Sequence, residues 1–188
     1  MELKNNFRNI FDNSLDSPLL IKHNIFKDNR GLFYELFNSL KFSKFNSKDV
    51  CFVQDNISIS KKGVIRGLHF QISPFEQGKY ISVLNGSIYD VFLDVRVNSS
   101  SFGKFFFYTL NSNDNESLWI PEGFAHGFQA LNDNTKIHYK TTCLYNFEFE
   151  RSINPLDTNL SIKWPLKDYF ISEKDTKAPN FHNHKLQL

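Results

Sequence analysis

Between Val50 and Leu144 apolar and polar residues alternate in short runs, the period of two that a pleated strand imposes when one face is buried. Phe52, Gln54, Asn56 and Ser58 alternate with Val53, Asp55, Ile57 and Ile59, and Lys61-Lys62-Gly63 turns the chain into a strand over residues 64–71. There Val64, Leu68 and Phe70 fall on one face of a regular strand, and Ile65, His69 and Gln71 on the other. Further strands are expected over 79–84, 87–97, 105–110, 117–120, 127–131 and 136–144, and Asn85-Gly86 between two alternating runs predicts a tight hairpin. Nearer the N-terminus, 18–26 reads as a first strand, 27–31 as a turn, 32–36 as a strand and 37–49 as a short helix or irregular segment. From Glu148 onward Pro155, Pro165 and Pro179 interrupt any regular element, so this part is expected as loops and short helices laid over the rest. Many short strands with turns every eight to twelve residues or so predict an all-β sandwich or barrel.

Composition narrows the function classes. A chain of 188 residues with 40% apolar side chains, 21 of its residues Phe, can bury a sizeable core and is expected as one domain over 1–188, with about the first 16 residues an extension. A formal charge of +2 is too small to imply a nucleic-acid partner. No apolar run approaches the roughly 20 residues of a membrane span, and residues 1–13 lack the apolar centre of a signal peptide. Cys51 and Cys143 are the only cysteines and show no metal-type spacing, which fits free thiols in the cytoplasm.

The His69 strand carries chemistry a core strand does not need. An Arg, an imidazole and a carboxamide are costly to desolvate unless each finds a partner. A core histidine held by one hydrogen bond is the plain alternative. Pro121-Glu122-Gly123-Phe124-Ala125-His126 delivers a second imidazole after a tight turn. In cupin barrels such a turn supplies a metal ligand, but His69 stands alone in its strand without the His-x-His that usually completes the set, and a scaffold without metal is the expectation. Tyr139 and Tyr145 share odd numbering with Ile137, Thr141 and Cys143. They read either as rim aromatics or as phenolic proton donors. Lys79 opens a strand whose face holds Ile81 and Val83, and reads as a snorkelling side chain or an anion stabiliser. An imidazole, a phenol and an ammonium, with no nucleophile motif and no phosphate loop, suit proton transfer next to a carbonyl.

The motifs resemble those of the dTDP-4-dehydrorhamnose 3,5-epimerase family: Asp28-Asn29-Arg30-Gly31 with Phe33 and Glu35; Val53-Gln54-Asp55-Asn56; Gly63 through Gln71; Gly78-Lys79; Asp90-Val91 with Asp94-Val95-Arg96; Ser101-Phe102-Gly103-Lys104; Leu118 through Phe128; Tyr139-Lys140-Thr141; and Trp164-Pro165 followed by Ser172-Glu173-Lys174-Asp175. They occur in the family's order over about residues 17–180. The resemblance implies a cupin-type jelly-roll barrel, with short helices and a C-terminal loop and helix segment. It also implies a reaction without cofactor or metal, in which a nucleotide-diphosphate 4-keto sugar is epimerised at C3 and C5. It makes His69 the base, Asp175 its hydrogen-bond partner, Tyr139 the acid and Lys79 the enolate stabiliser. Arg30, Glu35, Gln54, Asn56, Arg66, His126, Tyr145, Glu150 and Lys174 match substrate-contacting positions, the arginines suiting a diphosphate. A homodimer with an N-terminal strand and its Arg reaching into the partner is implied as well. Arg66 and His69, three apart, would lie on opposite faces of a regular strand, so either Gly67 permits a bulge or Arg66 serves a neighbouring site.

The chain departs from the family at Pro155, Leu156, Ser82 and Ser87, where Trp, Asn, Arg and Glu are commoner. Alternatives are an epimerase acting at one carbon of another nucleotide sugar, such as a GDP-linked or heptose form, a non-catalytic sugar-nucleotide-binding cupin, and a metal-dependent cupin enzyme.

Overall fold

Alternation at a period of two yields strands wherever it was read, and their pairing builds two facing sheets. The computed structural model describes residues 7–9, 17–44 and 50–181. In chain order the elements are β1 (Phe7–Asn9), β2 (Leu19–Lys22), β3 (Ile25–Asp28), β4 (Gly31–Tyr34), α1 (Ser39–Ser43), β5 (Gln54–Ser60), β6 (Val64–Gln71), β7 (Lys79–Asn85), β8 (Ser87–Asp94), β9 (Phe105–Asn111), β10 (Glu116–Ile120), β11 (Phe124–Ala130), β12 (Thr135–Thr141), a 3-10 turn at Phe147–Phe149, β13 (Glu150–Ser152), β14 (Phe170–Ile171) and α2 (Glu173–Thr176). One sheet runs β1-β2-β10-β7-β12-β5 and the other β13-β6-β11-β8-β9, with β14 added to β6. The fold is all-β and cupin-like. Residues 1–6, 10–16, 45–49 and 182–188 lie outside the described residues, and with them most of the expected N-terminal extension.

The inner faces of the two sheets meet in a core of Leu20, Ile81, Val83, Ile88, Phe92, Leu110, Leu118, Ile120, Phe124, Phe128, Ala130 and Ile137. On the outer face of the first sheet α1 seats Phe42 against Tyr80 and Trp119. The C-terminal segment covers the other sheet, packing Ile153, Leu160 and Phe181 over Leu68, Val91 and Ala125. It also departs from the expectation of loops and helices alone. β13 pairs with the end of β6 and β14 with its start, so the segment closes an edge that would otherwise be open.

Two other expectations are corrected by tertiary pairing. Residues 18–26 form two strands, because β2 ends after pairing with β10 and His23 turns inward to hydrogen-bond the Ser117 Oγ at 2.8 Å. The chain then leaves the sheet as the separate β3–β4 hairpin. Asn85-Gly86 makes no hairpin. β7 already has β10 and β12 as neighbours and β8 has β9 and β11, so the turn hands the chain from one sheet to the other. Gly86 takes a φ of +77° there, and a Cβ would come within 2.8 Å of the Thr135 Oγ1.

The strand bearing His69 is bulged. His69 pairs with His126 and Arg66 with Phe128, so three steps on β6 match two on β11. Arg66 and His69 therefore share a face, and the faces expected of a regular strand hold only on one side of the bulge. Gly67 makes this possible. Its φ is +115°, and a Cβ would lie 2.5 Å from the Gly127 Cα and 2.6 Å from the His126 carbonyl oxygen.

Candidate active site

Between the sheets, at the end where β6 bulges, lies a cavity of about 540 Å³, a size suited to a small organic ligand. Nine of the thirteen expected site residues line it: His69, Asp175, Tyr139, Lys79, Arg66, His126, Tyr145, Glu150 and Lys174. His69 and His126 come from one sheet, Lys79 and Tyr139 from the other.

Asp175 reaches His69 from 106 positions away in sequence, with Nε2 to Oδ1 at 2.6 Å. β14 brings the chain alongside β6, and the Ser172 side chain then caps α2 by accepting from the Asp175 N–H, which fixes the carboxylate in the first turn. Burial opposes ionisation of Asp175, but hydrogen bonding and charge from His69, with Ser172 and the Gly67 N–H, outweigh it and hold the carboxyl below its ordinary range. An ionised Asp175 accepts from Nε2–H, so the ring's basic nitrogen is Nδ1.

Lys79 is buried as the first residue of a strand whose Ile81 and Val83 face the core, as its spacing predicted. Burial pushes its ammonium down to about 8, with Glu122 and Glu150 opposing the shift. Tyr139 is partly buried on β12. Burial raises its phenol above the ordinary value, against the nearby Arg66. The phenol stays protonated through neutral pH.

Tyr145 lies beyond the end of β12 rather than on it, yet enters the same cavity. Its N–H donates to the Gln54 Oε1 at 3.0 Å and its hydroxyl to the Glu150 Oε2 at 3.0 Å. Lys174 also donates to that Glu150 oxygen. Gln54 and Asn56 hydrogen-bond each other on the inner face of β5, at the rim and outside the cavity wall.

Arg30 and Glu35 are the two expected residues the structure keeps away. Arg30 sits at the tip of the β3–β4 hairpin against Asp28, and Glu35 follows the hairpin and pairs with Lys41. Pro155, Leu156, Ser82 and Ser87, where the chain departs from the family pattern, do not line the cavity either.

Sequence reasoning missed Asp90. It is fully buried in the barrel interior between Ile88 and Phe92, and its Oδ1 accepts a hydrogen bond from His126 Nε2. Burial raises its carboxyl despite the opposing effects of His126 and the Val91 N–H. A carboxylate on the apolar face of a strand needs a partner, and that was the available signal. The two carboxylate–imidazole pairs are adjacent, since His69 and His126 are register partners. Among the described residues no group of three or more His, Cys, Asp or Glu is arranged to hold a metal ion. No helix among them is long and apolar enough to cross a membrane.

The sequence profile of the dTDP-4-dehydrorhamnose 3,5-epimerase family matches residues 12–183. The chain belongs to that family. It is 40% identical over 173 residues to the dTDP-4-dehydrorhamnose 3,5-epimerase of Shigella flexneri, covering 92% of this chain and 96% of the relative. Its fold matches the crystal structure of dTDP-6-deoxy-D-glucose-3,5-epimerase from Legionella pneumophila in complex with dTDP-4-keto-L-rhamnose. That match has a TM-score of 0.86 and 41% identity over 93% of this chain and 92% of that one. A 3'-monoepimerase from Streptomyces bikiniensis, solved with dTDP-quinovose, matches at a TM-score of 0.82 with 30% identity, over 87% of this chain and 83% of that one.

Proposed function

We propose that this protein converts dTDP-4-dehydro-6-deoxy-D-glucose to dTDP-4-dehydro-L-rhamnose by inverting C3 and C5 through enolates. The observation that carries this reading is the placement of His69, backed by Asp175, on one sheet and Tyr139 on the other, with a cavity large enough for a hexose between them. A base and an acid on opposite sides of one carbon invert it. In each step the C–H bond breaks, His69 takes the proton and the electron pair passes to the C4 oxygen. Tyr139 then protonates the same carbon from the other face, and solvent restores both groups. C3 and C5 both flank the C4 carbonyl, so one constellation serves both.

Lys79 stabilises the enolate oxygen as a buried cation, where charge counts for more than it does in water. His126, held by Asp90, lies beside His69 on the same wall. Arg66 and Lys174 at the cavity mouth suit the diphosphate, and Tyr145 presents a ring to the base. The reaction needs no metal or cofactor, because each proton transfer is carried by side chains, and the free thiols of Cys51 and Cys143 fit a cytoplasmic setting.

The test is proton NMR of the 4-keto sugar nucleotide with the protein in deuterated buffer. Loss of both the C3 and C5 proton signals with formation of the L-rhamno product is expected. Loss of one signal would give the single-carbon reaction of the monoepimerase neighbour, and loss of neither would overturn the reading.

The ammonium requirement also sets a pH profile. Lys79 is cationic below about 8 and neutral above it, so kcat/KM should fall with slope one as pH rises through that value. Tyr139, raised above its ordinary value, titrates too high to cause this limb. Lys79→Arg stays cationic and should lose the limb; an unchanged limb would assign it to another group.

We further propose a homodimer in which the β3–β4 hairpin reaches across to the partner. β1 pairs with β2 of its own chain, so the element available for exchange is the hairpin, which belongs to neither large sheet. Its Phe26 and Phe33, cross-strand partners on one face, are 63% and 68% exposed, apolar surface of the kind that is covered in an assembly. Arg30 and Glu35, absent from their own cavity, would complete the partner's. Mixing Arg30→Ala subunits with His69→Ala subunits should then restore up to about a quarter of wild-type activity, since an even mixture yields half hybrids with one intact site of two. A monomer in sedimentation, or no activity on mixing, would exclude the exchange.

A further inference from the structure

The inner face of β5 presents four polar side chains in a row: Gln54, Asn56, Ser58 and Ser60. Three have protein partners. Gln54 and Asn56 hydrogen-bond each other, and the Ser60 Oγ accepts from the Arg66 Nε at 3.1 Å. The Ser58 Oγ is buried and has no hydrogen-bond partner among the described residues, although Ser58 lines the cavity. A hydroxyl left so costs free energy in a protein that gains nothing from it. Alanine would fill the same place in the strand without the cost.

Its position says what the hydroxyl is for. Ser58 is the register partner of Ile137, and Asn56 that of Tyr139, so Ser58 stands on the wall that carries Tyr139, one turn of the pleat deeper. Arg66 approaches the same stretch of β5 through Ser60. The opposite wall holds His69. The 4-keto-6-deoxyhexose offers the wall hydroxyls at C2 and C3, a carbonyl oxygen at C4 and the ring oxygen, and of these only the hydroxyls can both donate to and accept from a serine.

We propose that Ser58 is a sugar-binding residue whose hydroxyl hydrogen-bonds a ring hydroxyl of the nucleotide-linked hexose on the Tyr139 side of the cavity. The proposal rests on the reading of the cavity as a sugar-nucleotide site. It adds a contact that holds the ring with C3 and C5 between acid and base, and it makes the pocket selective for hexoses that keep the hydroxyl.

The test compares wild type with Ser58→Ala in calorimetric titrations against dTDP-6-deoxyglucose, which keeps the C2 and C3 hydroxyls and does not react, and against dTDP, which lacks the sugar. The variant is expected to lose about 10-fold in affinity for the sugar nucleotide. Its affinity for dTDP should stay within about two-fold, and its melting temperature should be unchanged or slightly raised. Equal affinity of both proteins for dTDP-6-deoxyglucose would overturn the proposal. So would an equal loss for dTDP, or a melting temperature lowered by several degrees, which would mark Ser58 as structural. Because the probe does not turn over, a wild type that binds it but fails to epimerise the 4-keto sugar would sink the epimerase reading and leave this contact standing. A wild type that binds neither ligand would sink both.

Discussion

His69→Ala should reduce solvent deuterium uptake at both C3 and C5 of the 4-keto sugar nucleotide by about 10³-fold or more, the scale of a lost general base, or ~4 kcal/mol of barrier. Both carbons fall together because the same imidazole, His69, takes the proton from each, while the neighbouring His126 is held by Asp90 and the paired Asp175 cannot substitute from behind His69. Affinity for dTDP should survive, since the groups suited to the diphosphate and base, Arg66, Lys174 and Tyr145, are other side chains of the wall. Asp175→Asn should lower the rate by the same route to a smaller degree, by removing the carboxylate that fixes the tautomer. Uptake retained at both carbons in His69→Ala, with the fold intact, would remove His69 from the role of base.

Tyr139→Phe should separate two readouts that His69→Ala moves together. With the base and Lys79 in place the enolate still forms, so exchange should fall by no more than about ten-fold. Inverted product should fall by about 10²-fold, the low end for a missing general acid. The phenylalanine keeps the ring that packs against the barrel core, so stability should be little changed. Equal product yield in wild type and variant would exclude Tyr139 as the acid. A parallel fall of exchange and product would instead place Tyr139 on the same side of the chemistry as the base. The pair of variants thus tests the geometry on which the proposed function rests, one sheet at a time.

Within the sequence, the strands and the chemistry of each candidate side chain were legible because both are local. Alternation over residues 54–60 and 79–85 marks which side chains share a face, and that was enough to put Lys79 with Ile81 and Val83, and Tyr139 with Ile137. The resemblance of the His69 and His126 motifs to those of an epimerase family was legible too, since a motif is a string of residue types.

What periodicity could not supply is how one stretch lies against another. The pairs His69–Asp175 and His126–Asp90 join residues 106 and 36 positions apart, and Asp90 went unassigned because its strand reads simply as buried. Periodicity left two alternatives for Arg66, and the Gly67 bulge, which puts it on the His69 face, depends on Gly127 passing close enough to exclude any side chain. Asn85-Gly86 looked like a hairpin because turn chemistry specifies a reversal and not the strand that receives it; the neighbours already on β7 and β8 decided that. Residue types and the faces of regular strands were thus determined by sequence alone, through local sterics and burial. The shared cavity, the two carboxylate–imidazole pairs and the hairpin that stands away from both were decided by non-local packing, where a side chain's partner depends on every strand between them.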